Sequence, residues 1–372
     1  MLLADMGARV IKVEQPGRGD ETRSWGPPFS GGESTYFLSI NRNKESITLN
    51  LKAAAAREAL DRLLAQADVL VENFRPGTLD RLGLGYTTLR AQHPRLIYAS
   101  ISGYGQTGPL RDRAGYDAVM QAEAGLMSIT GDADGPPFRL GVAIVDLVAG
   151  LYAVQGILLA LYARERSGLG QWVDVSLFDS AISLLSYQAS ACLNTTFSPA
   201  RMGNRHPTIA PYDTVSAADG EFFLAVGNDD QFRRFCDVAG LKPLTADPRY
   251  ATNPARVVNY DALCGEIAPA LGSRPRAQWI AQLTQAGVPC GAVRAVPDVL
   301  TDPQIEARHM IEAVEHAAAG LVKVLGVPVK LSETPGSVRT APPTLGQHTE
   351  AVLREIGFGA SEIARMRAED AI

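Results

Sequence analysis

The sequence predicts an α/β protein built around a mostly parallel sheet. Through the first half of the chain, short apolar segments typical of buried strands alternate with segments that have helical spacing. The 372 residues are 46% hydrophobic and 20% charged, enough for a substantial core and for two domains. One long apolar run holds a single charge, Asp146, and that residue is the starting point for the function.

The elements of the first half follow in order. MLLADMGARVIKVE combines the tail of a helix, a turn at Gly7 and a strand, so the chain looks shortened at its start, and a late start codon is the favoured explanation. Strands are predicted at NKESITLNLK, ADVLVENF and LIYASISGYG, with a helix from about Ala53 to Gln66 between the first two. A helix from about Leu147 to Arg166, then a strand and a helix in GQWVDVSLFDSAISLLS, complete this region.

The second half changes character at NTTFSPARMGNRHPTIAPY, which is rich in turn formers and predicts a linker. GEFFLAVG then predicts a strand and QFRRFCDVAGL a helix, and AGLVKVLGVPVKLSETPG predicts a hairpin-like pair before a helix near Thr349 to Glu355. We therefore predict a first domain over 1–190, a smaller α/β domain over 206–296, and a last segment over 297–372.

The net charge and the cysteine content limit the classes of partner and the cellular compartment that fit this sequence. The net charge of −5 and the absence of a basic cluster argue against nucleic acid as the main partner. The four cysteines are widely spaced, with no CxxC pair and no histidine pattern beside them. We expect a cytoplasmic protein with reduced thiols.

Asp146 lies in GVAIVDLVAGLYAVQGILLALY, where an unpaired carboxylate costs several kcal/mol unless donors or positive charge compensate. One explanation is structural, with Asp146 as a helix N-cap that accepts bonds from its own backbone amides. A membrane span of about 20 apolar residues is a further alternative. Gly141 and Gly150 divide the run and Arg164 lies at its end, so a core helix fits better than a span.

Several strings carry a family resemblance that covers nearly the whole chain: GARVIKVEQPGRGDETR, NRNKESITLNLK, VLVENFRPGTLDRLGLGY, GYGQTGP, AGYDAV, RSGLGQWVDVSLFDS, VPCGAV and LGQHT. Together they resemble family III CoA-transferases. ETRSWGPPF, ESTYFLSINRNK, ISGYGQTGP and RAGYDAV are most similar to the branch that moves CoA between dicarboxylic acids, such as succinate and glutarate.

The resemblance implies a large Rossmann-like domain to which residues 297–372 return, a small inserted domain, and a homodimer of interlocked chains. It implies acyl-CoA and a carboxylic acid as substrates, with no metal, redox cofactor, nucleic acid or membrane partner. It places Asp146 as the carboxylate that attacks the thioester of the donor, forming an aspartyl anhydride and later an aspartyl-CoA thioester.

The resemblance also implies a set of CoA contacts, which are Leu49, Lys52, Asn73, Phe74, Arg81 and Tyr116. Taken singly, these residues favour structural explanations, Phe74 as a core residue and Arg81 as part of a solvated helix face, and only their joint match to the family reverses that preference. Arg139 is a candidate for binding the distal carboxylate of the substrate, the alternative being a surface pair with Asp132 or Asp134. His206 is a candidate for the rim of the site, the alternative being a structural histidine.

Other observations keep alternatives open. The chain has no run of consecutive glycines like the loop that shields the intermediate in formyl-CoA transferase, which weakens formyl and oxalate as substrates. An α-methylacyl-CoA racemase shares the fold but pairs its aspartate with a histidine, where this chain has Tyr116, a poorer base at neutral pH. A CoA-binding homologue with impaired catalysis is the other alternative.

Overall fold

The fold is described from a computed structural model that covers residues 1–372, and it is mixed α/β. The strands are Val10–Glu14 (β1), Phe29–Ser30 (β2), Glu33–Ser34 (β3), Lys44–Thr48 (β4), Val69–Glu72 (β5), Ile97–Ser102 (β6), Trp172–Ser176 (β7), Tyr212–Ala217 (β8), Gly220–Ala225 (β9), Cys290–Ala292 (β10), Ile311–His316 (β11) and Gly320–Leu325 (β12).

The α-helices are Leu2–Asp5 (α1), Thr35–Ile40 (α2), Ala54–Leu64 (α3), Thr78–Arg81 (α4), Tyr86–Gln92 (α5), Asp117–Glu123 (α6), Ile144–Ser167 (α7), Leu177–Leu184 (α8), Ser186–Asn194 (α9), Asp229–Ala239 (α10), Asn253–Val258 (α11), Tyr260–Leu271 (α12), Arg276–Gln285 (α13), Val296–Leu300 (α14), Pro303–Ala307 (α15), Thr349–Glu355 (α16) and Ala360–Ala368 (α17). Short 3₁₀ turns lie at Glu21–Ser24, Leu126–Ser128 and Lys242–Thr245.

The chain divides into two compact units. Unit 1 comprises Met1–Met120, Ile144–Ala181 and Val299–Ile372, and unit 2 comprises Gln121–Ala143 and Ile182–Asp298. These units differ from the predicted domains 1–190, 206–296 and 297–372 mainly because residues 121–143 group with unit 2. The predicted domains stay a prediction, since contacts do not test which parts fold alone.

Unit 1 contains the predicted parallel pairing. Strand β1 pairs in parallel with β4, and β5, β6 and β7 form a second parallel sheet in that order. Helix α3 buries Ala56, Ala59, Leu60 and Leu64, a stripe with helical spacing, against a core that includes β4, α16 and α17. The carboxyl ends of the parallel strands, where ligands bind in such sheets, therefore lie in this unit.

Helix α7 packs closely on the sheet of unit 1. Its buried stripe runs from Val145 through Ala153 to Arg164, and a Cβ atom at Gly156 would lie 2.6 Å from a Val173 methyl group on β7. Only 28% of its most apolar 18-residue stretch is buried. It is the one helix long and apolar enough to cross a membrane, a test that core helices of soluble proteins also pass.

The NRNK string proves to be a structural tie within unit 1. Arg42, 1% exposed, forms a two-point ion pair with the buried carboxylate of Asp5, at 2.8 Å and 3.0 Å. Asn43 donates to Asp5 and to the carbonyl of Ser337, and accepts from the backbone amide of Arg339. These bonds join three segments that are far apart in sequence, and removing one partner of such a buried pair typically costs about 3 to 5 kcal/mol.

Unit 2 has an antiparallel sheet in the order β10, β9, β8. Its core contains Phe222, Phe235 and Trp279, all fully buried. Arg256 is also fully buried, and it donates to the carbonyls of Ala210 and Tyr250 and to the Asp229 carboxylate. This unit therefore has its own apolar core and its own polar anchor.

Near the end of the chain, the pairing predicted for the hairpin was wrong. The hairpin consists of β11 and β12, so Gly320–Leu325 pairs with the segment before it rather than the one after it. His316 fixes that turn, because its Nδ1 accepts from the amides of Ala318 and Ala319. The helix at Thr349–Glu355 is confirmed, but it is followed by a further helix, α17, that was not predicted.

Candidate active site

Asp146 is the third residue of α7, which begins three residues earlier than predicted. The amides at the start of this helix bond to Asp117, whose Oδ1 accepts from the nitrogens of Val145 at 2.7 Å and Asp146 at 3.4 Å. Asp117 is the first residue of α6 and is 8% exposed. Asp117 therefore occupies the capping role, the N-cap explanation of Asp146 was wrong, and the side chain of Asp146 is left exposed.

The surroundings of Asp146 disfavour its charged form. Burial of the carboxylate by nearby protein atoms, the larger cause, and the negative charge of Asp117 raise its pKa to about 6. The carboxylate still reaches solvent at the surface of the isolated chain. A helix N-terminus alone would lower this pKa, so desolvation and Asp117 outweigh that stabilisation. At neutral pH Asp146 is mostly ionised but weakly stabilised, the condition in which a carboxylate is a useful nucleophile.

The side chain of Tyr36 lies within the electrostatic influence of this acidic pair, and the ring of Trp25 packs against Tyr36. The pKa of Tyr36, on α2, is raised by burial first, then by the charges of Asp146 and Asp117. The rings of Tyr36 and Trp25 meet edge to face with centroids 4.9 Å apart. Tyr36 and Trp25 lie in strings that carried the dicarboxylate resemblance, but neither they nor Asp117 were predicted as site residues.

The loop after β5 holds two of the predicted CoA contacts. The Asn73 side-chain amide donates to the carbonyl of Ile101 at 2.7 Å, and the backbone amide of Phe74 donates to Glu72 Oε2 at 2.8 Å. Phe74 is 47% exposed, so it is not a core residue. Arg81, on α4, is exposed and donates to Thr78 Oγ1 at 3.1 Å. The loop is thus fixed by its backbone and by Asn73, while the Phe74 ring is free to cover a ligand.

The other three predicted contacts differ in accessibility. Leu49 is 2% exposed and packs in the core of unit 1, which leaves only its backbone for a ligand. Lys52 is exposed at the start of the next turn. Tyr116 is 65% exposed and immediately precedes Asp117. Lys52 and Tyr116 are therefore available for phosphate and for ring contacts, respectively.

Arg139 and His206 lie in unit 2. Arg139 is exposed and bonds to the carbonyl of Leu140, and it forms no ion pair with Asp132 or Asp134. His206 stacks on Tyr187 at 5.5 Å, and its Nδ1 accepts from the amide of Thr208 at 3.2 Å. Burial lowers its pKa, which favours the neutral ring. This packing favours the structural explanation of His206.

Unit 1 also has two pockets, one on a sheet face and one at the carboxyl ends of two strands. One lies along the face of β5 and β6 and is lined by Glu72, Asp80, Tyr98 and Trp172, among others. The other is lined in part by Gly17, Thr48, Gly346 and Thr349, beside the ends of β1 and β4. Thr48 immediately precedes Leu49, so the second pocket adjoins the segment that carries Lys52.

Comparison with known proteins identifies the family to which this chain belongs. The sequence profile of CoA-transferase family III matches residues 1–349. The chain belongs to CoA-transferase family III. As a family III CoA-transferase it is an enzyme of the class that uses CoA thioesters as substrates, and its relatives are named as acyl-CoA:carboxylate CoA-transferases.

Three comparisons illustrate how close the similarity is. The chain is 44% identical over 368 residues to an acetyl-CoA:oxalate CoA-transferase of Acetobacter aceti, with 97% of this chain and 91% of that one covered. It is 41% identical over 356 residues to a mouse succinyl-CoA:glutarate CoA-transferase, with coverages of 96% and 82%. A crystal structure of a CAIB/BAIF family protein from Brucella suis superimposes with a TM-score of 0.83 at 43% identity, covering 95% and 93%. The predicted α/β class and the predicted family are confirmed.

Proposed function

We propose that this family III CoA-transferase moves CoA from succinyl-CoA, or a similar dicarboxylyl-CoA, to a carboxylic acid acceptor. The observation that carries the proposal is Asp146, an accessible carboxylate with a pKa of about 6 on a helix whose start is capped by another residue. A carboxylate in that state is ionised at neutral pH, yet solvent stabilises it less than a fully exposed one.

In the proposed reaction the Asp146 carboxylate attacks the thioester carbonyl of the donor, which forms a mixed anhydride and releases CoA as a thiolate. The thiolate then attacks the aspartyl carbonyl, which gives an aspartyl-CoA thioester and frees the donor acid. The acceptor carboxylate attacks that thioester to form a second anhydride and releases CoA thiolate again. Attack of the thiolate on the acceptor acyl carbon completes the transfer and regenerates the Asp146 carboxylate.

The exposed side chains around unit 1 suit CoA by type. We assign Lys52 and Arg81 to phosphate oxygens and the rings of Phe74 and Tyr116 to apolar or stacking contacts with the ligand. Asn73 contributes mainly by holding its loop, because its amide group already bonds to the carbonyl of Ile101. Leu49 contributes through its main chain, since its side chain is buried.

Two residues of unit 2 are candidates for roles toward the acceptor acid. We propose that Arg139, which has no carboxylate partner within the chain, binds the distal carboxylate of a dicarboxylate substrate. We keep His206 as a rim residue that supports Tyr187 and Tyr212 rather than as a base, because its ring is packed between them and burial lowers its pKa.

An acyl-exchange assay tests this function. The protein is incubated with succinyl-CoA as donor and with glutarate or oxalate as acceptor, and the products are measured by mass spectrometry. The reaction should yield the corresponding acyl-CoA and one equivalent of succinate. Oxalate belongs in the panel because the oxalate-transferring relative is as similar as the glutarate-transferring one. Arg139→Gln should raise KM for a dicarboxylate by about tenfold but leave KM for a monocarboxylate of equal length unchanged.

Two outcomes of that assay would refute the proposal. CoA binding without any acyl exchange would identify an impaired CoA-binding homologue. Exchange of an α-proton with deuterated water, in the absence of acyl exchange, would identify racemase-type chemistry.

No metal or redox cofactor enters the proposed steps, and a cytoplasmic location is proposed from the four unpaired cysteines.

We further propose a homodimer in which a second copy covers the exposed side of α7. Leu151, Leu158, Leu159 and Tyr162 are 53 to 61% exposed on this helix, a row of large apolar side chains. Light scattering over a dilution series should give a dimer mass at every concentration, because interlocked chains leave no stable free monomer. A folded monomer at low concentration would contradict the interlocked dimer.

A further inference from the structure

A chain of polar side chains crosses β5, β6 and β7 and ends at the backbone of Phe74. The strand register places Glu72 opposite Ser100, and places Trp172 opposite Tyr98, two residues before Ser100. Because residues two apart on a strand share a face, all of these side chains lie on the same side of the sheet. Glu72 is 9% exposed and Ser100 is 1% exposed, so the middle of this chain is removed from solvent.

The hydrogen bonds along this chain converge on Glu72, which accepts from both sides. Trp172 Nε1 donates to Ser100 Oγ at 2.9 Å, and an indole nitrogen can only donate. The Ser100 hydroxyl therefore keeps its own proton for the Glu72 carboxylate, which lies opposite it in the strand register. Burial raises the pKa of Glu72, and the Ser100 hydroxyl opposes that rise as a hydrogen-bond donor. Glu72 in turn accepts from the backbone amide of Phe74 at 2.8 Å. We call Trp172, Ser100 and Glu72 the relay.

The relay does more than connect neighbouring strands. A buried carboxylate is costly unless it is hydrogen-bonded, and Glu72 has no cation among these partners. Its hydrogen bonds come from a hydroxyl group and from the backbone amide of Phe74, which lies two residues after the last residue of β5. The relay thus fixes the plane of the peptide that carries Phe74, at the point where the sheet ends and the exposed loop begins.

Packing at the far end of the relay holds the donor in place. The Trp172 ring stacks on Tyr86 with centroids 5.1 Å apart and meets Tyr98 edge to face at 6.3 Å. Tyr98 donates its own hydroxyl proton elsewhere, to the carbonyl of Leu84 at 3.2 Å. Tyr98 therefore shares the pocket with the relay but does not belong to it.

We infer that Trp172, Ser100 and Glu72 are positioning residues for CoA, which hold the Phe74 backbone so that the exposed Phe74 ring meets the ligand in one orientation. The inference rests on the proposed function, because it uses the assignment of Phe74 to CoA. It adds three residues that do not touch the ligand, and it predicts that they act on CoA binding rather than on the chemical step.

Variants of the relay test this. Ser100→Ala should raise the Kd for CoA by about tenfold, the typical effect of losing a hydrogen bond to a buried charged group. Trp172→Phe keeps an aromatic ring but removes the indole donor, so its effect should be smaller, about threefold, and the double variant should resemble Ser100→Ala alone. Glu72→Gln keeps an oxygen acceptor for the Phe74 amide and should bind CoA better than Glu72→Leu. Tyr98→Phe is the matched control and should bind CoA as the wild type does.

Two measurements are made on each variant: Kd for CoA by calorimetry, and hydrogen exchange of the peptide that contains the Phe74 amide in the free protein. Faster exchange together with weaker CoA binding, at a kcat within about twofold of the wild type, is the expected result. Unchanged exchange in Ser100→Ala would show that the relay does not hold the loop. Faster exchange with unchanged CoA binding would show that the loop position is irrelevant to the ligand.

The same data separate this inference from the proposed function. If the wild-type protein binds no CoA, the proposed function fails and the inference fails with it, whatever the exchange rates are. If the wild type binds and transfers CoA but Tyr98→Phe weakens binding as much as Ser100→Ala, the proposed function stands and the relay is rejected as a specific device.

Discussion

Asp146→Asn should lower kcat for CoA transfer by about 10⁴-fold or more, because the amide cannot form the aspartyl anhydride. The substitution keeps the size of the side chain, and its position on α7 does not depend on the charge, since Asp117 holds the start of the helix. CoA should still bind with an affinity near that of the wild type. The measurement is steady-state transfer from succinyl-CoA, with CoA binding by calorimetry on the same sample.

Stability supplies the control for this variant. The pKa of Asp146 is raised in the folded protein, so the folded state binds this proton more tightly than the unfolded state does. Between the ordinary pKa of 3.8 and the raised pKa of about 6, this group therefore lowers stability as the pH rises, and the cost persists at neutral pH. Asp146→Asn should be as stable as the wild type at pH 7, or more so. Asp112→Asn, at a carboxylate that is 86% exposed, should change neither activity nor stability. Retention of full activity in Asp146→Asn would refute the nucleophile assignment.

Asp117→Ala should lower kcat by about 10- to 100-fold, because it removes the acceptor that fixes the first turn of α7 and lets Asp146 shift. A displacement of about 1 Å at a reacting group is enough for a loss of that size. The loss of the cap should also lower stability by about 1 kcal/mol. Asp117→Asn is the matched variant, since its side-chain oxygen can still accept from the amides of Val145 and Asp146 while its charge is gone.

The pH profile of Asp117→Asn separates the two roles of Asp117. In the proposed mechanism Asp146 attacks in its ionised form, so activity should fall as the pH drops below its pKa of about 6. The charge of Asp117 is the second cause of that raised pKa, after burial. Removing the charge should therefore lower the pKa of Asp146 and move the acidic limb of kcat/KM to lower pH, with Asp117→Asn retaining more of its activity at about pH 5 than the wild type. An unshifted limb would show that Asp117 acts through capping alone.

The catalytic candidate was accessible from sequence, but its partner was not. Asp146 is conspicuous as the single charge in an apolar run, and that pattern by itself indicates a specialised role. The residue that caps its helix is 29 positions away in the chain, and no local pattern identifies a cap that comes from another element. For the same reason the start of α7 was placed three residues too late.

The resemblance to the family did not predict which of the matched residues are buried and which are exposed. Phe74 and Leu49 are both apolar residues in strings that resemble the family, yet one is 47% exposed and the other 2% exposed. Sequence spacing does not distinguish a residue at the end of a strand that turns into solvent from one that turns into the core. The NRNK string likewise resembles the family, and in the structure Arg42 and Asn43 serve the tie to Asp5 rather than a ligand.

The parallel pairing of β5 with β6 and of β6 with β7 followed from strands that alternate with helices. The relay could not be predicted, because it depends on the register that sets Glu72 opposite Ser100 and on an indole that reaches along the sheet. A change of one residue in that register would move Trp172 to the opposite face and remove the contact.

Covalent transfer through Asp146 can be tested by peptide mapping with mass spectrometry after incubation with succinyl-CoA and hydroxylamine. Hydroxylamine attacks an activated acyl-aspartate and leaves a hydroxamate, so the wild-type peptide that contains Asp146 should gain that modification. The same peptide from Asp146→Asn should remain unmodified. An unmodified Asp146 in wild-type enzyme that is turning over succinyl-CoA, or a hydroxamate at a different carboxylate, would contradict the mechanism.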